Sequence, residues 1–203
     1  MTLDVKISKK LIPYKSAFKF LKKRVDSLKK ENGKELLWLL EHPLTFTGGI
    51  RSKKSEIIDK KIKIIQTNRG GKITLHNPGQ KIIYLALNLN KRKKDIRNLI
   101  KQIEKSIIEF LKLYNIKGYA DKENVGVWVG DKKIAAIGIR VTQWIAYHGC
   151  SININNNLKY YKKIVPCGLS NNRITSINNE SKKKITNIEK KLIKIFKRNL
   201  KNI

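Results

Sequence analysis

The chain has 203 residues, of which 40% are hydrophobic and 30% are charged, and this composition is typical of one globular domain with a buried core. No apolar run approaches the roughly 20 residues that a membrane-spanning helix requires, and the start has no uninterrupted apolar stretch of the secretory type. The two cysteines, Cys150 and Cys167, are too few for a disulfide framework, so we expect a cytoplasmic protein with reduced thiols.

The formal net charge of +31 raises the question of whether the chain binds nucleic acid. Its 46 basic residues are 38 lysines and 8 arginines, spread along the whole chain. Base readout and phosphate clamping rely on arginine, and no zinc-finger, ribonucleoprotein or basic-zipper signature is present. Lys, Ile and Asn share AT-rich codons, so compositional drift explains the bias. We therefore expect no nucleic-acid partner, although the basic surface would speed encounter with acidic proteins.

The first half of the chain predicts one helix followed by short strands. Apolar side chains recur at helical spacing over residues 14–31, which predicts an amphipathic helix. The apolar run that follows predicts a buried strand over 35–41, and residues 44–55 read as a loop. Further strands are predicted over 62–67, 72–75 and 82–89.

The second half predicts a helix at 95–114, a hairpin of strands 125–129 and 133–141, a strand at 144–154 and a basic helix at 184–200. Strands and helices are segregated, and hairpins are expected at both glycine-rich sites, around Gly70 and Gly130. The pattern therefore favours an α+β fold, a mixed β-sheet with flanking helices, over a doubly wound parallel sheet. We expect a single domain that spans residues 1–203.

The segment from Arg69 to His76 is the first candidate site. Paired glycines let the backbone approach a ligand closely, Arg69 offers a rigid fork of donors, and His76 is a tunable donor or acceptor. An ordinary β-turn with an incidental arginine explains the segment equally well. The segment is not a phosphate-binding P-loop, because the Gly-Lys-Ser/Thr ending is missing.

Lys133 and Cys167 form the second candidate. Cys167 lies between a proline and a glycine, where a turn can present its side chain to a cleft. A lysine ammonium nearby would favour the thiolate, the nucleophilic form of cysteine. Among 38 lysines, however, any one of them is more often a solvated surface group. We expect Cys150 to pack as a small buried apolar residue within the possible channel wall 144–151. No Cys-x-x-Cys pair is present, and we expect no metal site.

Taken in order, these motifs resemble the octanoyltransferase family, the lipoyl(octanoyl) transferases of lipoate synthesis. The resemblance runs from about residue 42 to 176. It rests on Arg-Gly-Gly-x-x-Thr-x-His-x-Pro-Gly-Gln (69–80), Gly-Val-Trp-Val (126–129), Lys-Ile-Ala-x-Ile-Gly-Ile-Arg (133–140), Tyr-His-Gly (147–149), Asn-x-Asn (153–155) and Pro-Cys-Gly (166–168). Asn77 stands where the family usually has glycine, and Gly48 where it usually has leucine.

The resemblance implies a fold like that of biotin and lipoate protein ligases, and a reaction in two halves. Octanoyl passes from acyl carrier protein to Cys167 as a thioester, and then to the ε-amine of a lysine on a lipoyl domain. Lys133 is implied to lower the pKa of Cys167. The residues that match the family's acyl-binding segments are Arg69, Gly70, Gly71, Lys72, Ile73, Thr74, Leu75, His76, Ala136, Ile137, Gly138, Gly149, Cys150 and Ser151.

The partners implied are octanoyl-acyl carrier protein, the lipoyl domains of 2-oxoacid dehydrogenase complexes and the glycine cleavage H protein. No cofactor or membrane association is implied, and we expect a monomer. Three alternatives stay open: an ATP-dependent lipoate or biotin ligase of the same fold, a basic nucleic-acid-binding domain, and a relic that has lost turnover. Such a ligase needs no cysteine nucleophile, so Cys167 favours the transferase.

Overall fold

The computed structural model describes residues 3–121, 123–165 and 173–203. Within them the chain forms β-strands and α-helices with short 3₁₀ turns between them. The elements in chain order are β1 (Leu3–Ile7), α1 (Tyr14–Lys29), β2 (Glu35–Leu40), β3 (Thr45–Gly48), β4 (Ile64–Gln66), β5 (Ile73–His76), β6 (Gln80–Asn88), α2 (Ile96–Lys112), β7 (Tyr119–Ala120), β8 (Gly126–Val129), β9 (Lys132–Thr142), β10 (Ile145–Asn153), α3 (Ile177–Glu180) and α4 (Ile188–Asn199).

The strands form two sheets. The larger has the order β1-β2-β6-β10-β9-β8-β7, in which β1 and β2 are parallel and the other neighbours are antiparallel. The smaller has the order β4-β3-β5, with β4 parallel and β5 antiparallel to β3. These mixed sheets with flanking helices confirm the predicted α+β class.

Both faces of the larger sheet are covered, which explains why β2 is an unbroken apolar run. Successive side chains of a strand point to opposite faces. Leu36, Trp38 and Leu40 accordingly pack in one cluster with the apolar stripe of α1. Leu37 and Leu39 pack in another cluster with α2 and α4. In the part of the chain that the structure describes, no helix is long and apolar enough to cross a membrane.

The three long helices and the hairpin of β8 and β9 form where the sequence predicts them, with ends that differ by a few residues. Two expectations are wrong. Residues 44–55 are not all loop, because β3 (Thr45–Gly48) is held between β4 and β5 by pairing that a four-residue pattern cannot reveal. The predicted hairpin at Gly70 does not form either, because β4 and β5 both pair with β3 and not with each other.

Gly149 lies at the centre of the larger sheet, where β10 pairs with both β6 and β9. Its φ is +156°, and a Cβ there would lie 1.9 Å from the carbonyl oxygen of Ile83. We expect Gly149→Ala to lower the free energy of unfolding by about 3 kcal/mol, since backbone and not a flexible side chain blocks the added methyl.

The matched control is Gly130→Ala in the turn between β8 and β9. Gly130 also has a positive φ, +56°, but no atom lies within 4 Å of the added Cβ. We expect a cost of about 1 kcal/mol there, from the left-handed backbone alone. Urea denaturation of both variants measures the difference, and equal losses would show that steric blockage is not the reason for glycine at 149.

Candidate active site

A cleft of about 220 Å³ lies between the two sheets. The smaller sheet supplies one wall from the loop before β5 and from β5 itself, and the larger sheet supplies the other from β9 and β10. The structure thereby brings together most of the predicted acyl-binding residues. Those that line the cleft are Arg69, Gly71, Lys72, Thr74, His76, Ala136, Ile137, Gly138, Gly149, Cys150 and Ser151.

Three predicted residues do not line the cleft. Ile73 and Leu75 alternate with Thr74 and His76 along β5, so they point away from the cleft and pack in the apolar cluster of the smaller sheet. Gly70 instead provides a close approach between the two sheets: its carbonyl oxygen lies 3.2 Å from where a Cβ on Gly138 would be.

The guanidinium of Arg69 is buried and holds the cleft wall in shape. Its Nη2 donates to the Thr47 carbonyl at 2.8 Å, to the Thr47 hydroxyl at 2.9 Å and to the Lys72 carbonyl at 2.9 Å. These bonds fasten the glycine-containing loop to β3. Arg69 is therefore more than an incidental turn residue, because it builds the wall that the loop presents to the cleft.

Residues 76–79 form a turn, in which the Gln80 N–H donates to the Asn77 carbonyl at 3.1 Å. Gly79 adopts a positive φ of +85° in this turn, whereas Asn77 does not adopt a positive φ. The Asn77 side chain instead donates to the Asn157 carbonyl at 2.9 Å. Gly48, the other departure from the family pattern, is not among the residues that line the cleft.

His76 is a neutral hydrogen-bonding group at the inner part of the cleft. Its Nδ1 lies 2.7 Å from Oε1 of Gln80, and the Gln80 amide nitrogen donates to Asn153 and Tyr161. The Gln80 oxygen is thus the acceptor and His76 Nδ1 the donor, which leaves Nε2 of His76 unprotonated. Burial, together with the neighbouring His42, lowers the pKa of His76 to about 3.

The wall next to His76 is lined by aromatic rings, and sequence reasoning did not assign its two tyrosines to a site. Tyr14 from α1 stacks on His76 with ring centroids 6.1 Å apart, and Tyr84 from β6 lines the same end. His148 stacks on Phe18 at 5.5 Å, and burial, with Arg69 and Arg140 nearby, lowers its pKa to about 3. Tyr14 and Tyr84 fall within the predicted helix 14–31 and strand 82–89, and nothing local showed that they border a cleft. His148 lies in the possible channel wall 144–151.

Lys133 is, with Arg69, a buried cation of the cleft, and 6% of its surface is exposed. It lies near the start of β9, as predicted. Its Nζ donates to the Val125 carbonyl at 2.8 Å and lies 5.3 Å from the centre of the Trp128 ring. Gly126 makes room for it, because a Cβ there would lie 2.5 Å from Cε of Lys133. The view of Lys133 as a solvated surface lysine is therefore wrong.

A partly buried carboxylate accompanies this cation. Glu104 of α2 accepts from the Gly126 N–H at 3.4 Å, next to the carbonyl that binds Lys133. Burial raises the pKa of Glu104, while the Gly126 N–H and the Lys133 charge oppose that rise.

The two cysteines differ. Cys150 is buried in β10, and burial raises the pKa of its thiol well above its ordinary value, so it is a small apolar residue, as expected. Cys167 lies outside the described residues, and its contact with Lys133 stays a prediction. The chain after it returns beside Lys133: the Lys133 N–H donates to the Arg173 carbonyl at 2.8 Å, and Thr175 N–H donates to the Lys133 carbonyl at 3.0 Å.

Within residues 3–121, 123–165 and 173–203, no group of three or more His, Cys, Asp or Glu side chains is placed to hold a metal ion. The polar groups of the cleft instead include the buried ammonium of Lys133, the buried guanidinium of Arg69 and neutral imidazoles, next to small residues. Such a cleft can accept an apolar chain along its small and aromatic residues and present the charge of Lys133 to the reacting atoms.

Residues 13–197 match the family model described as the lipoyl protein ligase A/B catalytic domain. The chain is 44% identical over 200 residues to an octanoyltransferase of Wolbachia sp. subsp. Brugia malayi, covering 94% of this chain and 98% of that one. It is 40% identical over 188 residues to an octanoyltransferase of Bartonella henselae, covering 86% and 77%.

Solved structures share the fold at low identity. A lipoate-protein ligase A bound with ATP superposes with a TM-score of 0.76 at 13% identity, covering 98% of this chain and 86% of that one. The biotin protein ligase from Aquifex aeolicus gives 0.52 at 17%, covering 100% and 69%. The expected likeness to lipoate and biotin ligases is thus confirmed for the fold.

The buried histidines predict how stability depends on pH. His76 and His148 have folded pKa values of about 3, below the ordinary 6.5, so their burial favours folding above pH 6.5 and that contribution is lost as pH falls towards 3. As pH falls from 7.5 to 5.0, each histidine lowers the free energy of unfolding by about 2 kcal/mol, because the unfolded chain binds a proton at that histidine and the folded chain does not.

His148→Asn tests this, since asparagine tolerates the positive φ of +69° at that position. Urea denaturation measures how much the free energy of unfolding falls between pH 7.5 and pH 5.0. That fall should be smaller by about 2 kcal/mol in the variant than in the wild type. Parallel pH dependences for the two proteins would contradict a buried neutral His148.

Proposed function

The chain belongs to the lipoyl protein ligase A/B catalytic domain family and is an acyltransferase, and we propose that it moves octanoyl from acyl carrier protein, through Cys167, to a lysine of a lipoyl domain. The observation that carries the proposal is the buried ammonium of Lys133 in the cleft between the two sheets. A buried lysine at this position indicates a functional role, since burying a charge costs free energy unless it is well compensated.

The role that we propose is stabilisation of the Cys167 thiolate. An ordinary cysteine thiol has a pKa near 8.5, so roughly a few per cent is thiolate at neutral pH. A cation within about 4 to 6 Å lowers such a pKa by roughly 1 to 3 units. Lys133 is shielded from water and held by Val125 and Trp128, so its charge would act on the thiol with little screening.

In the first half-reaction the Cys167 thiolate attacks the carbonyl carbon of octanoyl-acyl carrier protein. A new carbon–sulfur bond forms, the bond to the carrier sulfur breaks, and the departing thiolate takes a proton from the Lys133 ammonium. The products are octanoyl-Cys167, carrier thiol and a neutral Lys133 amine. The exchange of one thioester for another is nearly isoenergetic and needs no ATP.

In the second half-reaction the neutral ε-amine of a lipoyl-domain lysine attacks octanoyl-Cys167. The carbon–nitrogen bond of the amide forms and the carbon–sulfur bond breaks. The Lys133 amine accepts the proton that the attacking nitrogen loses, which restores the ion pair with the Cys167 thiolate. A single lysine thus donates a proton in one half and accepts it in the other.

The octanoyl chain would lie along the small residues of β9 and β10. Ala136 to Gly138 and Gly149 to Ser151 line the cleft together with Lys133 and the aromatic residues. Side chains this small leave room for a flexible apolar chain, and His76 and His148 are neutral. The buried Arg69 guanidinium donates to the carbonyls of Thr47 and Lys72.

The acceptors that we propose are the lipoyl domains of 2-oxoacid dehydrogenase complexes and the glycine cleavage H protein. We propose that the protein acts as one cytoplasmic domain and as a monomer. Its net charge of +31 would attract acidic carrier and acceptor domains over a range set by ionic strength.

Intact mass spectrometry tests the covalent step directly. Wild-type protein incubated with octanoyl-acyl carrier protein, without ATP, should gain one octanoyl group that hydroxylamine removes. Cys167→Ala should gain none, while Cys150→Ala, the control at the buried thiol, should still be acylated. If Cys167→Ala still transfers octanoyl to a lipoyl domain at the wild-type rate, or if transfer requires ATP and free octanoate, the proposal is wrong.

The role of Lys133 has its own test. Lys133→Ala should slow acylation of Cys167 about a hundredfold at pH 7, because the thiol loses its cation and the leaving group loses its proton donor. The deficit should shrink towards pH 9.5, where the thiol ionises unaided. Lys132→Ala is the matched control, since Lys132 is the exposed preceding residue of β9. Stopped-flow rates that fall equally at both pH values would remove Lys133 from this role.

A further inference from the structure

The indole ring of Trp128 holds two cations. The ring centre lies 5.3 Å from Nζ of Lys133 and 5.3 Å from the guanidinium carbon of Arg173. Trp128 is 2% exposed, and its Nε1–H donates to the Asn124 carbonyl at 3.0 Å, which fixes the ring orientation. Cation–π attraction is stronger at a desolvated ring than at an exposed one, so this ring is a firm platform for both groups.

The backbone of Arg173 contacts Lys133 as well. The Arg173 carbonyl accepts from the Lys133 N–H at 2.8 Å, and the Thr175 N–H donates to the Lys133 carbonyl at 3.0 Å, so that Lys133 pairs with Ile174 in a short parallel bridge. The Arg173 Nε–H donates to the Asp131 carbonyl at 3.0 Å. Arg173 thus fastens three parts of the chain together: the turn before β9, the ring of β8, and the main chain of Lys133.

An exposed arginine would ordinarily contribute little to stability or function. Here the side chain combines a directional hydrogen bond with a ring contact. A planar guanidinium can donate through Nε while its face or edge meets an aromatic ring, which a lysine ammonium cannot do in the same way. The arrangement therefore holds the peptide of Arg173, and with it both backbone partners of Lys133.

We propose that Arg173 is a positioning residue that acts through Lys133 in the acylation of Cys167. The inference rests on the function proposed above. Arg173 keeps the chain at 173–175 against Lys133, and so keeps the Lys133 ammonium at the Val125 carbonyl in the cleft. Without the guanidinium the bridge to Lys133 opens more often, and the ammonium spends less time in the position that favours the thiolate.

The test is a double-mutant cycle on the acylation rate, measured by intact mass spectrometry with octanoyl-acyl carrier protein at pH 7 and pH 9.5. Arg173→Gln should slow acylation about tenfold at pH 7 and about twofold or less at pH 9.5. In the Lys133→Ala background it should change the rate less than twofold at either pH. Arg97→Gln, which removes the same charge from an exposed position on α2, is the control and should leave the rate unchanged.

Arg173→Lys keeps the charge and loses the planar fork, and it should lie between the wild type and Arg173→Gln at pH 7. Equal effects of Arg173→Gln with and without Lys133, or a rate like that of Arg97→Gln, would overturn the inference. The failure of the proposed function looks different, because then wild-type protein itself would form no adduct on Cys167. Circular dichroism of each variant verifies that the fold is intact.

Discussion

The buried ammonium of Lys133 is the constraint on which the site depends. A charge at 6% exposure requires compensation, and the protein provides it with the Val125 carbonyl and the Trp128 ring. Each partner imposes a condition on the sequence. The carbonyl lies next to Gly126, where φ is +139° and a Cβ would lie 2.6 Å from the Ala135 carbonyl oxygen and 2.5 Å from Cε of Lys133. The ring requires β8 and β9 to pair in the register that sets Trp128 opposite Lys133.

The cleft exists because two sheets meet through small residues. Gly70 and Gly138 lie so close that a Cβ on Gly138 would be 3.2 Å from the Gly70 carbonyl oxygen, and Gly149 lets β10 pass close to β6. Arg69 fastens the loop before β5 to β3 by donating to the carbonyls of Thr47 and Lys72. Hydrogen bonds thus hold this wall of the cleft in place. The result is a cleft that combines aromatic rings and neutral histidines with the buried cations Arg69 and Lys133.

The sequence predicts those elements and site residues whose pattern lies within one short stretch of chain, and it fails for those that depend on contacts between distant stretches. Helices, the β8–β9 hairpin and most cleft residues of β9 and β10 follow from periodicity and from ordered motifs. The strand β3 was missed because its four residues gain their pairing from β4 and β5, which are distant in sequence. Tyr14 and Tyr84 were missed for a related reason: an apolar stripe looks the same whether it faces core or cleft. Ile73 and Leu75 were assigned to the site by motif, but strand alternation turns them away.

The most direct measurement for the central claim is the pKa of the Cys167 thiol. The rate of its alkylation by iodoacetamide, followed by peptide mass spectrometry across pH 5 to 10, gives that pKa without any acyl substrate. A cation at Lys133 predicts a value of about 6 to 7 in the wild type and a return towards about 8.5 in Lys133→Ala. An ordinary value in the wild type, unchanged by Lys133→Ala, would contradict the account.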